Sequence, residues 1–164
     1  SQEPKETLKI LKRCRDMRLD LFDSIRLNNP NFDLHSFDQE LDLSDLSNEE
    51  ITLLNGTIRN RDILREAKIE LDKASPDHQL IGSLLNDHHS ILRDDLHVST
   101  KKIERMLEAA ISAGAFGGKI NGSGGGGCMF AYAPEDPKAV ASAIESAGGK
   151  AHIITADEGT KVLI

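Results

Sequence analysis

The hydrophobic positions of this chain fall into a long helical phase followed by a shorter β phase. Leu8, Leu11, Cys14, Met17, Leu21 and Ile25 recur at steps of three and four, which predicts an amphipathic helix stopped by Asn28, Asn29 and Pro30. A loop with Phe32, Leu34 and Phe37 follows, acidic from Asp38 to Asp45. Ser47-Asn48-Glu49-Glu50 pairs a hydroxyl with a carboxylate three residues on, a capping box. It opens a second helix with Ile51, Leu54, Ile58, Leu64, Ala67 and Leu71 on its inner side. Ser75 as cap and Pro76 at the first helical position start a third, whose apolar face is Ile81, Leu84, Leu85, His88, Ile91 and Leu92. After His97-Val98-Ser99 a fourth helix buries Ile103, Met106, Leu107, Ala110 and Ile111 and ends at Gly114.

The period then changes. Lys119-Ile120 precedes a glycine run, and Cys128-Met129-Phe130-Ala131-Tyr132-Ala133 follows it as a short apolar stretch of β-formers stopped by Pro134. Asp136-Pro137 caps a further helix through Ala147, ended by Gly148 and Gly149, and residues 151–155 and 161–164 read as two more strands. The expected fold is α+β: residues 1–164 as a single domain, with a small antiparallel β-sheet and helices packed on one face.

Composition narrows the functional classes. A net charge of −7 supplies no basic stripe for nucleic acid, although a phosphate site needs only a few N–H groups and a cation or two. Aromatic residues are 4%, without Trp, so the core must be built from Leu, Ile, Val and Ala. No apolar run approaches the roughly 20 residues that span a bilayer, and the N-terminus has no signal-like apolar stretch. Cys14 and Cys128 are expected as free thiols, Cys128 as a small buried hydrophobe, and the protein as cytoplasmic.

The chemistry concentrates in Gly122-Ser123-Gly124-Gly125-Gly126-Gly127. A flexible linker would sit in polar surroundings between two domains. Here Ile120 stands before the glycines, an apolar strand follows, and too little chain remains for a second domain. A plain hairpin turn does not need four consecutive glycines, each costing roughly 0.5–1 kcal/mol of backbone entropy relative to Ala. A dinucleotide fingerprint opens a helix, whereas this run leads into a strand, and the Gly-Lys-Ser/Thr of a P-loop is missing. Two readings remain. The loop packs against a neighbouring backbone, or its bare N–H groups, beside Lys119, form an anion-binding concavity for phosphate. His88 is expected as a packed core histidine, and His78, His88 and His89 lack the i, i+4 spacing of a zinc pair. Arg93 beside Asp94 and Asp95 reads as a structural ion pair tying a helix end to a loop.

Residues 117–128 resemble the third motif of the superfamily of galactokinase, homoserine kinase, mevalonate kinase and phosphomevalonate kinase (GHMP kinases), a glycine-rich stretch between two strands. Residues 86–100 are similar to the helix-end motif of its galactokinase-like members through His89, Leu92, Arg93, Asp94, Val98 and Ser99, and 57–67 resemble their charged helix start. The resemblance implies a ferredoxin-like C-terminal domain of an ATP-dependent sugar 1-kinase, most similar to galactokinase. Lys119-Ile120-Asn121 departs from the Arg-Met-Thr that often precedes the glycines in galactokinases and is nearer other branches. The family's ATP-embracing loop, sugar-binding segment and catalytic Asp have no counterpart, so the chain is expected to be the C-terminal half, inactive alone and completed by an N-terminal partner domain that holds most of ATP and Mg2+. By the same resemblance Gly122 to Gly127, including Ser123, contact the nucleotide, and Lys119 and Asn121 the sugar. The alternative is a freestanding ligand-binding or regulatory module that keeps the fold without catalysis.

Overall fold

The computed structural model describes residues 1, 7–36 and 41–155. Among them, five helices and two strands run in the order α1 Thr7–Asn28, α2 Asn48–Leu71, α3 His78–Asp94, α4 Lys101–Ser112, β1 Gly117–Asn121, β2 Cys128–Tyr132 and α5 Pro137–Ser146. The α+β arrangement is as expected. β1 and β2 form an antiparallel hairpin with Ile120 opposite Met129 and Asn121 opposite Cys128. Residues 151–155 form no strand, and Ile153 and Ile154 lie exposed: the apolar run that suggested one finds no ladder partner among the described residues. The expected Phe37 loop position and the 161–164 strand lie outside those residues.

Helix starts follow local hydrogen bonding. Ser47 and Glu50 form the reciprocal capping box at α2. The start of α3 differs from expectation: Asp77 is the cap, its carboxylate accepting from the Gln79 and Leu80 amides, and Ser75 and Pro76 lie in the link before it. The link is held because the buried Glu70 carboxylate accepts the Asp77 N–H at 2.6 Å and pairs with Lys73. Thr100 and Asp136 cap α4 and α5.

The main core joins Leu21 and Ile25 of α1, Leu53 and Leu54 of α2, Ile103 and Leu107 of α4, Ile120 of β1, and Phe32, Leu96 and Val98 from the links. A second cluster packs Met106 and Ala110 on Val140 and Ile144, seating α5 on α4. Several positions expected inside are outside. Leu8, Leu11 and Met17 are exposed because only the later turns of α1 enter the core, leaving Ile10 and Cys14 as its partly buried stripe. Leu64, Leu71 and Ile111 are exposed as well, while Leu53, Gly56, Thr57 and Ile63 are buried. The reason for α2 is that it faces two neighbours: Leu53 and Leu54 enter the main core, and Ile63 packs with Leu84 and Ile91 of α3. Both cysteines are free, and among the described residues no helix is long and apolar enough to cross a membrane.

Candidate functional site

The hairpin turn is residues 122–127. Gly122, Gly124, Gly125, Gly126 and Gly127 all have positive φ, from 68° to 115°, a region that L side chains enter at a cost. The loop is fixed from below. The Gly125 N–H donates to the Val98 carbonyl at 2.7 Å, and a Cβ on Gly124 would stand 2.5 Å from that same oxygen. A Cβ on Gly125 would meet Ile10 Cδ1 at 2.2 Å, so α1 closes one side. Val98 is itself held by donating its N–H to Leu92 O, and Arg13 anchors α1 to the same link through Leu96 O at 2.7 Å. The packing reading of the glycines therefore holds for two of them. Gly124 and Gly125 pack against backbone, while the amides of Gly122, Ser123, Gly124, Gly126 and Gly127 have no protein acceptor among the described residues.

The register places Lys119, Asn121, Cys128 and Phe130 on one face of the hairpin, with Gly118, Ile120, Met129 and Ala131 on the other. Leu107 lies under Gly118, and Ile120 is 1% exposed. This alternation corrects the expectation for Cys128, which is exposed on the outer face. Asn121 is exposed at the mouth of the loop. Lys119 is half-buried, and burial pulls its ammonium below the ordinary lysine range. It donates to Ile120 O at 2.7 Å, stands 5.5 Å from the centre of the Phe130 ring, and makes no ion pair with a carboxylate among the described residues. Among the described residues the Ser123 hydroxyl has only a long 3.5 Å contact to Gly124 O.

Behind the loop, α3 takes the edge of β1 opposite β2. Asn86 Oδ1 accepts from Gly118 N at 3.0 Å and Asn86 Nδ2 donates to Phe116 O at 3.3 Å, while His89 Nδ1 accepts from Ile120 N at 3.4 Å. The close approach is made by two glycines: a Cβ on Gly117 would lie 2.0 Å from Gly82 O, and one on Gly82 2.4 Å from Phe116 O. His89, at 5% exposure, is thus the core histidine, whereas His88 is half-buried beside Lys119 and held neutral, with its pKa lowered to about 4 by burial, then by the charges of Lys119 and His89. Arg93 forms an ion pair, bidentate with Asp94 at 2.8 Å, but the two are neighbours within α3, and its second contact, to Glu104 at 3.4 Å, ties α3 to α4 and not to a loop as expected. Asn86, Val98 and Gly82, which position the loop and its strand, were not singled out as such by the sequence. Of these three, Val98 alone is a matched position of the helix-end motif.

Comparison with known proteins covers the same part of the chain. Residues 64–150 match the family described as GHMP kinases C terminal. The chain is 51% identical over 83 residues to the mevalonate kinase of Thermococcus onnurineus, covering 50% of this chain and 25% of that protein. It is 49% identical over 83 residues to the mevalonate kinase of Pyrococcus furiosus, with the same coverage. It is 35% identical over 82 residues to the galactokinase of Mycobacterium tuberculosis, covering 48% of this chain and 23% of the relative. The match thus spans about a quarter of the length of each relative.

Proposed function

Since the chain belongs to the GHMP kinase C-terminal family, we propose that it supplies the phosphate-cradling half of an ATP-dependent kinase acting on the hydroxyl of a small metabolite. The other half of the cleft comes from an N-terminal domain. The single observation that carries this reading is the loop of bare, positive-φ amides pinned to Val98. Donors fixed before the ligand arrives need no reorganisation, which is how backbone N–H groups stabilise charge in phosphoryl transfer. In this reading ATP supplies the phosphoryl group. The amides at 122, 123, 124, 126 and 127 donate to phosphate oxygens. Lys119, unpaired with any carboxylate among the described residues, adds the positive charge at the outer face. Asn121, exposed at the mouth of the loop, faces the acceptor.

These donors fit a polyphosphate. Mg2+ is assigned mainly to the partner domain, as the family resemblance implies. For the acceptor, the higher identity to mevalonate kinases favours mevalonate over galactose. Galactose stays as the second reading because the Leu92-Arg93-Asp94 segment follows the galactokinase-like motif.

The test is an ADP-release assay on the full-length protein with mevalonate and galactose as competing acceptors. Turnover of mevalonate alone establishes the first reading and turnover of galactose alone the second. Absence of turnover with any alcohol, together with absence of ATP binding in calorimetry, rejects the kinase assignment and leaves the non-catalytic module.

A further inference from the structure

The cradle needs its amides at fixed positions, and Val98 holds the loop at one point, the Gly125 amide between them. A second support enters from the strand. Ile120 lies two residues before Gly122, and its N–H donates to Nδ1 of His89. A backbone N–H cannot accept, so Nδ1 must be the unprotonated nitrogen. The ring hydrogen then sits on Nε2, 2.9 Å from Glu104 Oε1, where it donates to the carboxylate. The two bonds select one tautomer of a ring that is almost wholly buried.

Glu104 is oriented in turn. Ser99 Oγ donates to its Oε1, and Arg93 Nη1 stands 3.4 Å from its Oε2. Burial alone would raise the Glu104 carboxyl, but the hydrogen bonds from Ser99, His89 and Arg93 outweigh it and hold the group below its ordinary range, as an acceptor. The chain therefore runs from Arg93 of α3 and Ser99 of the link, through Glu104 of α4 and His89 of α3, to the strand that delivers the glycines. Arg93, Glu104 and His89 line a groove of about 350 Å³ between α3 and α4.

We propose that His89, oriented by Glu104, is a positioning residue for the glycine loop: it fixes the height of β1 through the Ile120 amide and thereby the amides that cradle phosphate. The inference rests on the proposed kinase role for the purpose of the loop. The positioning itself is read without any substrate.

Two near-isosteric substitutions separate its two bonds. In His89→Asn, Oδ1 takes the place of Nδ1 and keeps the Ile120 bond while the Glu104 bond is lost. In His89→Gln, the side-chain amide reaches Glu104 and the acceptor for Ile120 is lost. On this chain, a long-range 1H–15N spectrum of the imidazoles should show His89 with hydrogen on Nε2. Amide exchange at Ile120 and Gly125 should accelerate by about tenfold in His89→Gln and change by less than about threefold in His89→Asn, with Val140 and Ile144 of α5 unchanged in both. In the full-length protein His89→Gln should raise the KM for ATP by about tenfold, with His89→Asn restoring most of it.

A wild-type ring protonated on Nδ1 overturns the proposal, and this measurement does not depend on any variant folding. So does His89→Gln exchange that is unchanged at Ile120, or uniformly faster through α5, which would mark a general loss of stability. If exchange behaves as expected but the wild-type protein neither binds ATP nor turns over, the positioning stands and the kinase reading fails.

Discussion

The Gly125 amide donates to the Val98 carbonyl at 2.7 Å, so the loop that leaves β1 is tied to the link between α3 and α4. The adjacent glycine is what allows it: a Cβ at Gly124 would press on the same oxygen at 2.5 Å and on Val98 Cβ at 2.6 Å.

Gly124→Ala is expected to lift the loop off Val98. The obstacle is backbone, and the residue also has φ +76°, so relief is not available from a rotamer change. The strain of an L residue there and the overpacking together cost at least about 2 kcal/mol. Gly125→Ala meets only the end of the Ile10 side chain, so Ile10→Ala should recover part of its loss and none of that of Gly124→Ala. Thermal unfolding of the two double mutants checks this.

Gly82 and Gly117 set how closely α3 approaches β1, and the Asn86 and His89 bonds depend on that distance. Gly82→Ala should destabilise the protein by about 1–3 kcal/mol, because the added methyl meets Phe116 O and Phe116 C rather than a movable side-chain tip. It should also free the Gly118 and Ile120 amides to exchange while leaving the α4–α5 contact intact. Denaturant unfolding and amide exchange measure the two effects.

What the sequence made legible follows the range of the interactions concerned. Bonds that close within a few residues were readable, such as the Ser47 and Glu50 box and the turn between Asn121 and Cys128. One-face periodicity failed where a helix has two neighbours. On α3 it chose His88, in phase with Leu84, Leu85 and Ile91. The helix also lies against β1, which buries the adjacent His89, about 100° further round. The glycines announced a close approach, but Val98, the group approached, belongs to a distant turn. Asp77 displaced Ser75 as the cap of α3 because its amide is claimed by Glu70, a contact made across the link between two helices.

Glu70 gives a pH dependence of stability. The Lys73 hydrogen bond, then the Asp77 amide, hold its carboxyl below the ordinary range. A depressed carboxylate stabilises the fold above its unfolded pKa, about 4.5, and that contribution is lost as pH falls through the lower folded value. Glu70→Gln keeps an acceptor for Asp77 N–H and removes the charge. The variant should lose stability at neutral pH and show a flatter decline below about pH 4.5 than the parent. Melting temperatures from pH 7 to pH 3 decide it, and parallel curves would rule it out.

The Lys119 charge acts on the titration of His88, which makes the proposed phosphate charge measurable. Burial lowers the Lys119 ammonium, and the His88 ring, from 6.5 to about 4, owes part of its shift to that ammonium, after its own burial and before His89. Lys119→Met removes the charge and leaves the burial. His88 should then titrate closer to 6.5, though still below it, in an NMR titration of the chain. In the full-length protein the same substitution should lower turnover by about 10–100-fold if Lys119 neutralises phosphate. The parent should lose activity on the alkaline side at a lower pH than a free lysine would dictate, because deprotonation removes the charge and burial brings deprotonation forward. A variant with His88 shifted and turnover unchanged would show that Lys119 faces α3 and not the phosphate, and the cradle would then rest on its amides alone.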